Sequence, residues 1–127
     1  MKTAILLMAH GSRIPEANDA VREIAAMVRE MTGYDIVEVS FREQHQPNIQ
    51  LGIDACVGQG AERILLVPYF LYTGAHVLED LPEEMAQARQ RYPAVQMVIG
   101  KPLGVHRKLA EIVVDRIADT LTESGWH

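Results

Sequence analysis

Apolar residues fall into four short runs, separated by longer stretches in which they recur with helical spacing. Residues 3–9 (TAILLMA) and 63–70 (RILLVPYF) are almost continuously apolar. Residues 35–41 (DIVEVSF) alternate Ile36, Val37, Val39 and Phe41 with polar positions, and 94–100 (AVQMVIG) form the fourth run. Continuous runs of this length suit strands covered on both faces, as in a parallel sheet. Between the first two runs, Ala17, Ala20, Val21, Ile24, Val28 and Met31 recur every three or four residues, with Asp19, Arg22, Glu23 and Glu30 off the stripe. This predicts an amphipathic helix that stops at Gly33. Val105, Leu109, Ile112, Val113, Ile117 and Leu121 repeat the pattern ahead of Gly125. Segment 48–58 predicts a weaker helix, because Gly52 and Gly58 each cost roughly 1 kcal/mol relative to alanine. Segment 75–91 predicts a helix that Pro82 kinks or restarts. The order βαβαβαβα, without repeat or linker, predicts one three-layer α/β domain over residues 1–127: a four-stranded, mostly parallel sheet with helices on both faces.

Composition narrows the field. With 127 residues, 48% of them apolar, the chain can build a real core. A net charge of −5 with the two signs mixed argues against a nucleic-acid surface. No stretch approaches the ~18 apolar residues of a membrane span. The apolar run after Lys2 leads into His10 and Gly11 rather than a small-residue cleavage site, so it is not read as a secretory signal. Cys56, the single cysteine, excludes an internal disulfide and is read as a small buried side chain. A reducing, cytoplasmic setting is the expectation.

In parallel α/β sheets ligands bind outside the carboxyl ends of the strands, so the residues that follow each run carry the functional information. They are His10-Gly11-Ser12-Arg13, Arg42-Glu43-Gln44-His45, Thr73-Gly74-Ala75-His76 (with Glu79 and Asp80 further on) and Lys101-Pro102-Leu103-Gly104, then His106 and Arg107. Four of the five histidines follow strand ends, and the fifth, His127, is terminal. Each has an ordinary reading as a loop residue, and His45 and His106 are read as surface residues. Together they point to one polar site at one edge of the sheet. Two imidazoles and a carboxylate converging there suit a first-row divalent metal, without the closed four-ligand cage of a structural zinc. Ser12 lies in no G-x-S-x-G elbow, and the chain has no P-loop and no G-x-G-x-x-G. His-Gly here follows Ala9, whereas a phosphohistidine enzyme would want arginine before it.

The motifs AHGSR (9–13), F-x-E (41–43, with Pro47 following) and P-Y-F-L-x-x-G-x-H-V-x-x-D-L-P (68–82) resemble the CbiX family of sirohydrochlorin chelatases, in order and over essentially the whole chain. The resemblance implies a chelatase-like fold and insertion of a divalent metal into a sirohydrochlorin-type tetrapyrrole. Co²⁺ is expected first, for cobalamin synthesis, with Ni²⁺ or Fe²⁺ as alternatives. It also implies that His10 and His76 hold the metal and that Glu43 assists, as ligand or as base. The second motif departs from the family in carrying Arg42, Gln44 and His45 around its glutamate, so His45 competes for the metal. The metal is expected as substrate, with no permanently bound cofactor.

Insertion exchanges two pyrrole N–H protons for one dication. An imidazole, titrating near ~6.5 when free, can hold metal or accept a proton. Arg13, Arg42 and Lys101, with Arg107 nearby, are candidates to meet the tetrapyrrole's carboxylates. A non-catalytic metal or tetrapyrrole carrier, and a small-molecule hydrolase or phosphotransfer domain using His10, remain the competing readings. A broad tetrapyrrole needs walls on more than one side, so a homodimer is expected, with Pro68–Tyr72 forming part of its contact.

Overall fold

The computed structural model describes residues 1–126 apart from Thr73 and the side chains of His76 and Leu78. Eight elements alternate along the chain: β1 (Thr3–Ala9), α1 (Pro15–Thr32), β2 (Ile36–Phe41), α2 (Ile49–Gly58), β3 (Arg63–Pro68), α3 (Ala75–Arg91), β4 (Gln96–Ile99) and α4 (Arg107–Ser124). The strands form one fully parallel sheet in the order β2-β1-β3-β4. Because every strand runs the same way, all four carboxyl ends lie on one edge. No helix among the described residues is long and apolar enough to cross a membrane.

Side-chain alternation divides the sheet between two cores. Ala4, Leu6 and Met8 of β1, with Ile64 and Leu66 of β3, face Ile49, Ile53 and Cys56 of α2 and Val77, Leu81 and Met85 of α3. Ile5, Leu7 and Ala9, with Val37, Val39 and Phe41 of β2, face Val21 and Ala25 of α1. Removing a large buried side chain such as Leu6 from the first core costs about 2–5 kcal/mol by the usual large-to-small scale.

Several local expectations need revision. Gly52 is a packing residue rather than a mere weakness of α2: a Cβ there would stand 2.9 Å from the Ser40 Cβ and 3.0 Å from Leu6 Cδ1. Its absence lets α2 lie close on the sheet. Pro82 sits inside α3, which continues on both sides of it, so the proline does not restart the helix. The buried stripe of α1 is Asn18, Val21 and Ala25, whereas Ala17, Ala20 and Met31 face solvent. β3 stops at Pro68 and β4 begins at Gln96, both shorter than the apolar runs that announced them. Val105 precedes α4 and is fully exposed, and none of α4's residues is buried.

Candidate metal-handling edge

The carboxyl edge is built by extending the backbone ladders past the strands. The amide of Arg42 donates to the Ala9 carbonyl at 2.8 Å, and that of Glu43 to the His10 carbonyl at 3.0 Å. On the other side of β1, the Tyr69 amide donates to the Met8 carbonyl at 2.7 Å. The loop carrying His10 is therefore stitched to both neighbouring strand ends. Gly11 makes this possible. Its φ is +92°, and a Cβ there would overlap the carbonyl oxygen of Glu43, so any side chain would push the two loops apart.

Asn18 holds the loop from below. Its Oδ1 accepts from the Ser12 amide at 3.0 Å, and its Nδ2 donates to the Ser12 carbonyl at 2.8 Å. Asn18 is only 2% exposed, so both bonds are made away from water. The Ser12 hydroxyl accepts from the Ile14 amide at 3.0 Å and leads the chain into α1, which starts with Pro15 in its first turn.

His10 itself is exposed, with its ring stacked on Phe70 at a centroid distance of 4.5 Å and an interplanar angle of 29°. One face of the imidazole is thus covered by an aromatic ring while its nitrogens stay available at the edge. Glu43 lies beside His10 through the backbone bond. Its carboxylate is 3.6 Å from the Arg42 guanidinium, which also donates to Asp80 of α3 at 2.8 Å. Arg42, Glu43 and Asp80 line a hollow of about 200 Å³ against α3, with Val77 and Leu81 as its apolar floor. Arg42 therefore ties the β2 loop to α3.

The remaining sequence-derived candidates separate into groups. Arg13 donates through Nε to Gln44 Oε1 at 3.0 Å, joining the first two loops. Lys101 is exposed beyond β4, and β3 separates that strand from β1. Arg107 faces Glu111 on α4 at 3.6 Å. His45 packs edge-on against Phe41, and its Nε2 lies 3.2 Å from the Arg22 guanidinium of α1. With that cation beside it, this nitrogen is an acceptor already in use. His106 caps α4, its Nδ1 accepting from the Lys108 amide at 3.1 Å. His76 belongs to the first turn of α3, but its side chain lies outside the described residues, as do Thr73 and His127. Among the described residues no three His, Cys, Asp or Glu side chains converge as a metal cage.

Asn18 escaped the sequence reading, although it carried a signal: it lies three residues before Val21 on the buried face of α1. Phe70 and Asp80 lie within the third motif, but their partners His10 and Arg42 come from other strands' loops and were not foreseen.

A small parallel α/β sheet with an open, histidine-bearing carboxyl edge is the chelatase type of domain. A sirohydrochlorin chelatase, SirB from Bacillus subtilis subspecies spizizenii in complex with cobalt, superposes with a TM-score of 0.86 at 39% identity, over 94% of this chain and 51% of that one. The CbiX protein of Marinobacter aquaeolei VT8 shares the fold, with a TM-score of 0.79 at 23% identity over 95% of this chain and 98% of that one. The chain belongs to the CbiX family, whose model matches residues 4–120. A sirohydrochlorin ferrochelatase of Priestia megaterium is 39% identical over 92% of this chain and 44% of that protein. A sirohydrochlorin cobaltochelatase of Methanopyrus kandleri is 32% identical over 94% of this chain and 98% of that protein. The chain thus spans about half the length of the bacterial ferrochelatase and nearly all of the archaeal cobaltochelatase.

Proposed function

We propose that this chain inserts a divalent metal into sirohydrochlorin in the cytoplasm, with Co²⁺ as the physiological metal and cobalamin synthesis as the destination. The observation that carries the reading is the placement of His10. In a CbiX-family chain, it stands at the carboxyl edge, stacked on Phe70 and stitched by its backbone to Glu43. His10 receives the metal, and His76 joins it from the first turn of α3. An incomplete protein ligand set leaves coordination positions for the macrocycle nitrogens, which replace the protein as the metal is handed over.

For each dication that enters, two protons leave the pyrrole nitrogens. Glu43 is the acceptor best supported by its position, because its carboxylate is more than half exposed and its backbone amide donates to the His10 carbonyl. Arg13 and Lys101 meet peripheral carboxylates of the tetrapyrrole, and Arg42, engaged by Asp80, does so while fixing the loop. The metal is substrate, and nothing needs to stay bound between turnovers. Two copies of the chain supply the two walls of the cleft, because a broad tetrapyrrole needs walls on more than one side and one four-stranded sheet offers a single carboxyl edge.

The relatives divide between ferro- and cobaltochelatases, so the metal is the part of the proposal to test first. Anaerobic insertion of Co²⁺, Fe²⁺ and Ni²⁺ into sirohydrochlorin, followed spectrophotometrically at equal free-metal concentration, should run fastest with Co²⁺. A higher rate with Fe²⁺ would reassign the chain to ferrochelation. No rate above the spontaneous reaction with any metal would leave it a carrier.

A further inference from the structure

The proposed ligands come from elements that the sheet does not join. His10 and Glu43 follow β1 and β2, which are neighbours, and the backbone bonds past their ends hold the two loops together. His76 belongs to α3, which follows β3, and β1 stands between β3 and β2 in the sheet. No strand ladder therefore sets the distance from the Glu43 loop to the first turn of α3. Among the described residues, the Arg42–Asp80 pair is the one hydrogen bond or ion pair that joins residues 42–47 to α3.

That pair is placed to carry the spacing. Asp80 follows His76 by four residues, about one turn of helix, so a hold on Asp80 is a hold on the turn that bears His76. At the other end, Arg42 comes directly after the fully buried Phe41 and directly before Glu43. Its guanidinium lies 2.8 Å from Asp80 and 3.6 Å from Glu43. One cation thus serves both carboxylates, with Asp80 in the closer grip, which leaves the Glu43 carboxylate the less engaged of the two. The Arg42 side chain is 23% exposed and its Nε is buried without a protein partner. An unpaired buried N–H is costly in a side chain long enough to swing out to water. The hollow floored by Val77 and Leu81 offers apolar cover to its stem, and the carboxylates take its tip.

We infer that Asp80 is a positioning residue: through Arg42 it fixes the first turn of α3, and with it His76, against the loop that carries Glu43. The inference rests on the chelatase reading for its consequence in turnover. A metal taken by two separate elements is held well at one spacing only, and groups that orient ligands typically carry about 10–100-fold in metal affinity. Turnover depends on the same spacing, since a misplacement of about 1 Å can cost about a hundredfold.

The test compares wild type with Asp80→Asn, Asp80→Glu, Arg42→Gln and the double variant Arg42→Gln/Asp80→Asn, all in the full chain. Anaerobic calorimetric titration with Co²⁺ reads the spacing without the macrocycle, and insertion into sirohydrochlorin then gives kcat and KM. Asp80→Asn should keep its thermal midpoint within about 4 °C, because the ion pair is partly exposed. It should lose about tenfold in Co²⁺ affinity and in kcat, with KM for the tetrapyrrole changed less than about twofold. Asp80→Glu, which keeps the charge, should recover most of both losses. Because Asp80 acts through Arg42, the double variant should bind Co²⁺ and turn over no worse than Arg42→Gln alone. Wild-type Co²⁺ affinity and kcat in Asp80→Asn would overturn the inference. So would losses that add in the double variant, or that Asp80→Glu fails to recover. A wild type that binds Co²⁺ but inserts none would sink the chelatase reading alone, and the variants' Co²⁺ affinities would still decide the role of Asp80.

Discussion

α1 and α4 are both 18-residue amphipathic helices that end at a glycine, and they meet opposite fates. α1 presses Val21 and Ala25 onto β1 and β2 and clamps the His10 loop with Asn18, whereas α4 buries nothing. Their sequence patterns are equally good. The difference lies in what the connections permit. The loop from β1 turns at Gly11 and Pro15 straight back over the sheet, while residues 100–104 stay bound to the β3 extension. Periodicity specifies that a helix has an apolar side; the connection specifies which surface that side reaches.

This contrast is most sharply broken by placing the same substitution in both helices. Val21→Asp puts a carboxylate into the core at a position 8% exposed and should cost about 3–4 kcal/mol in denaturant unfolding. Val113→Asp, on a helix with no buried residue, should leave the α/β body within about 0.5 kcal/mol. Equal losses in the two variants would mean that α4 is packed on its own chain.

A smaller effect sharpens the role of α1 as a support for the site. Asn18→Ala leaves the Ser12 amide and carbonyl unpaired beneath the loop and should cost about 1–3 kcal/mol. If the clamp orients His10, insertion measured well below the unfolding transition should lose kcat with little change in KM for the tetrapyrrole. A purely structural role would lower stability and leave kcat untouched.

The smallest effect is expected where α2 meets the end of α3. Asp54 accepts from Arg91 at 2.7 Å and from the Tyr92 hydroxyl at 2.6 Å, and these bonds, Arg91 first, hold its carboxyl below the usual carboxylate value. A lowered value in the folded state adds stability that is complete above the unfolded value and is lost as pH falls through the folded one. Asp54→Asn should therefore cost less than about 1 kcal/mol at neutral pH, the pair being partly exposed. The gap to wild type should close as pH drops below 3.8. A gap that persisted in acid would assign the cost to packing. In the adjoining core, burial raises the Cys56 thiol to about 12, in keeping with a structural side chain.

The layered fold was legible because two of its strands are nearly continuous apolar runs, as suits a parallel sheet, with helical periodicity between them. The edge was legible for a related reason: parallel strands bring everything after their carboxyl ends together, so the loops carrying His10 and Glu43 could be placed side by side from sequence alone. What stayed hidden depended on single tertiary contacts. Asn18 is polar on an apolar stripe and shifts the buried face of α1 away from Ala17 and Ala20. His45 looks like a ligand until Phe41 and Arg22 close around it. Arg42 looks free until Asp80 arrives from α3. No spacing rule foretells such partners, because each comes from another loop or helix.

The central claim is that the stacked imidazole at the end of β1 takes the metal before the macrocycle does. It is tested most directly by comparing wild type with His10→Ala in anaerobic Co²⁺ insertion into sirohydrochlorin, with Co²⁺ binding to the protein alone measured in parallel. The ring is exposed and contributes little to the core, so the variant should keep its fold. His10→Ala should lose both metal binding and at least about tenfold in insertion rate, a barrier change of about 1.4 kcal/mol or more. Wild-type insertion by a folded His10→Ala protein would contradict it.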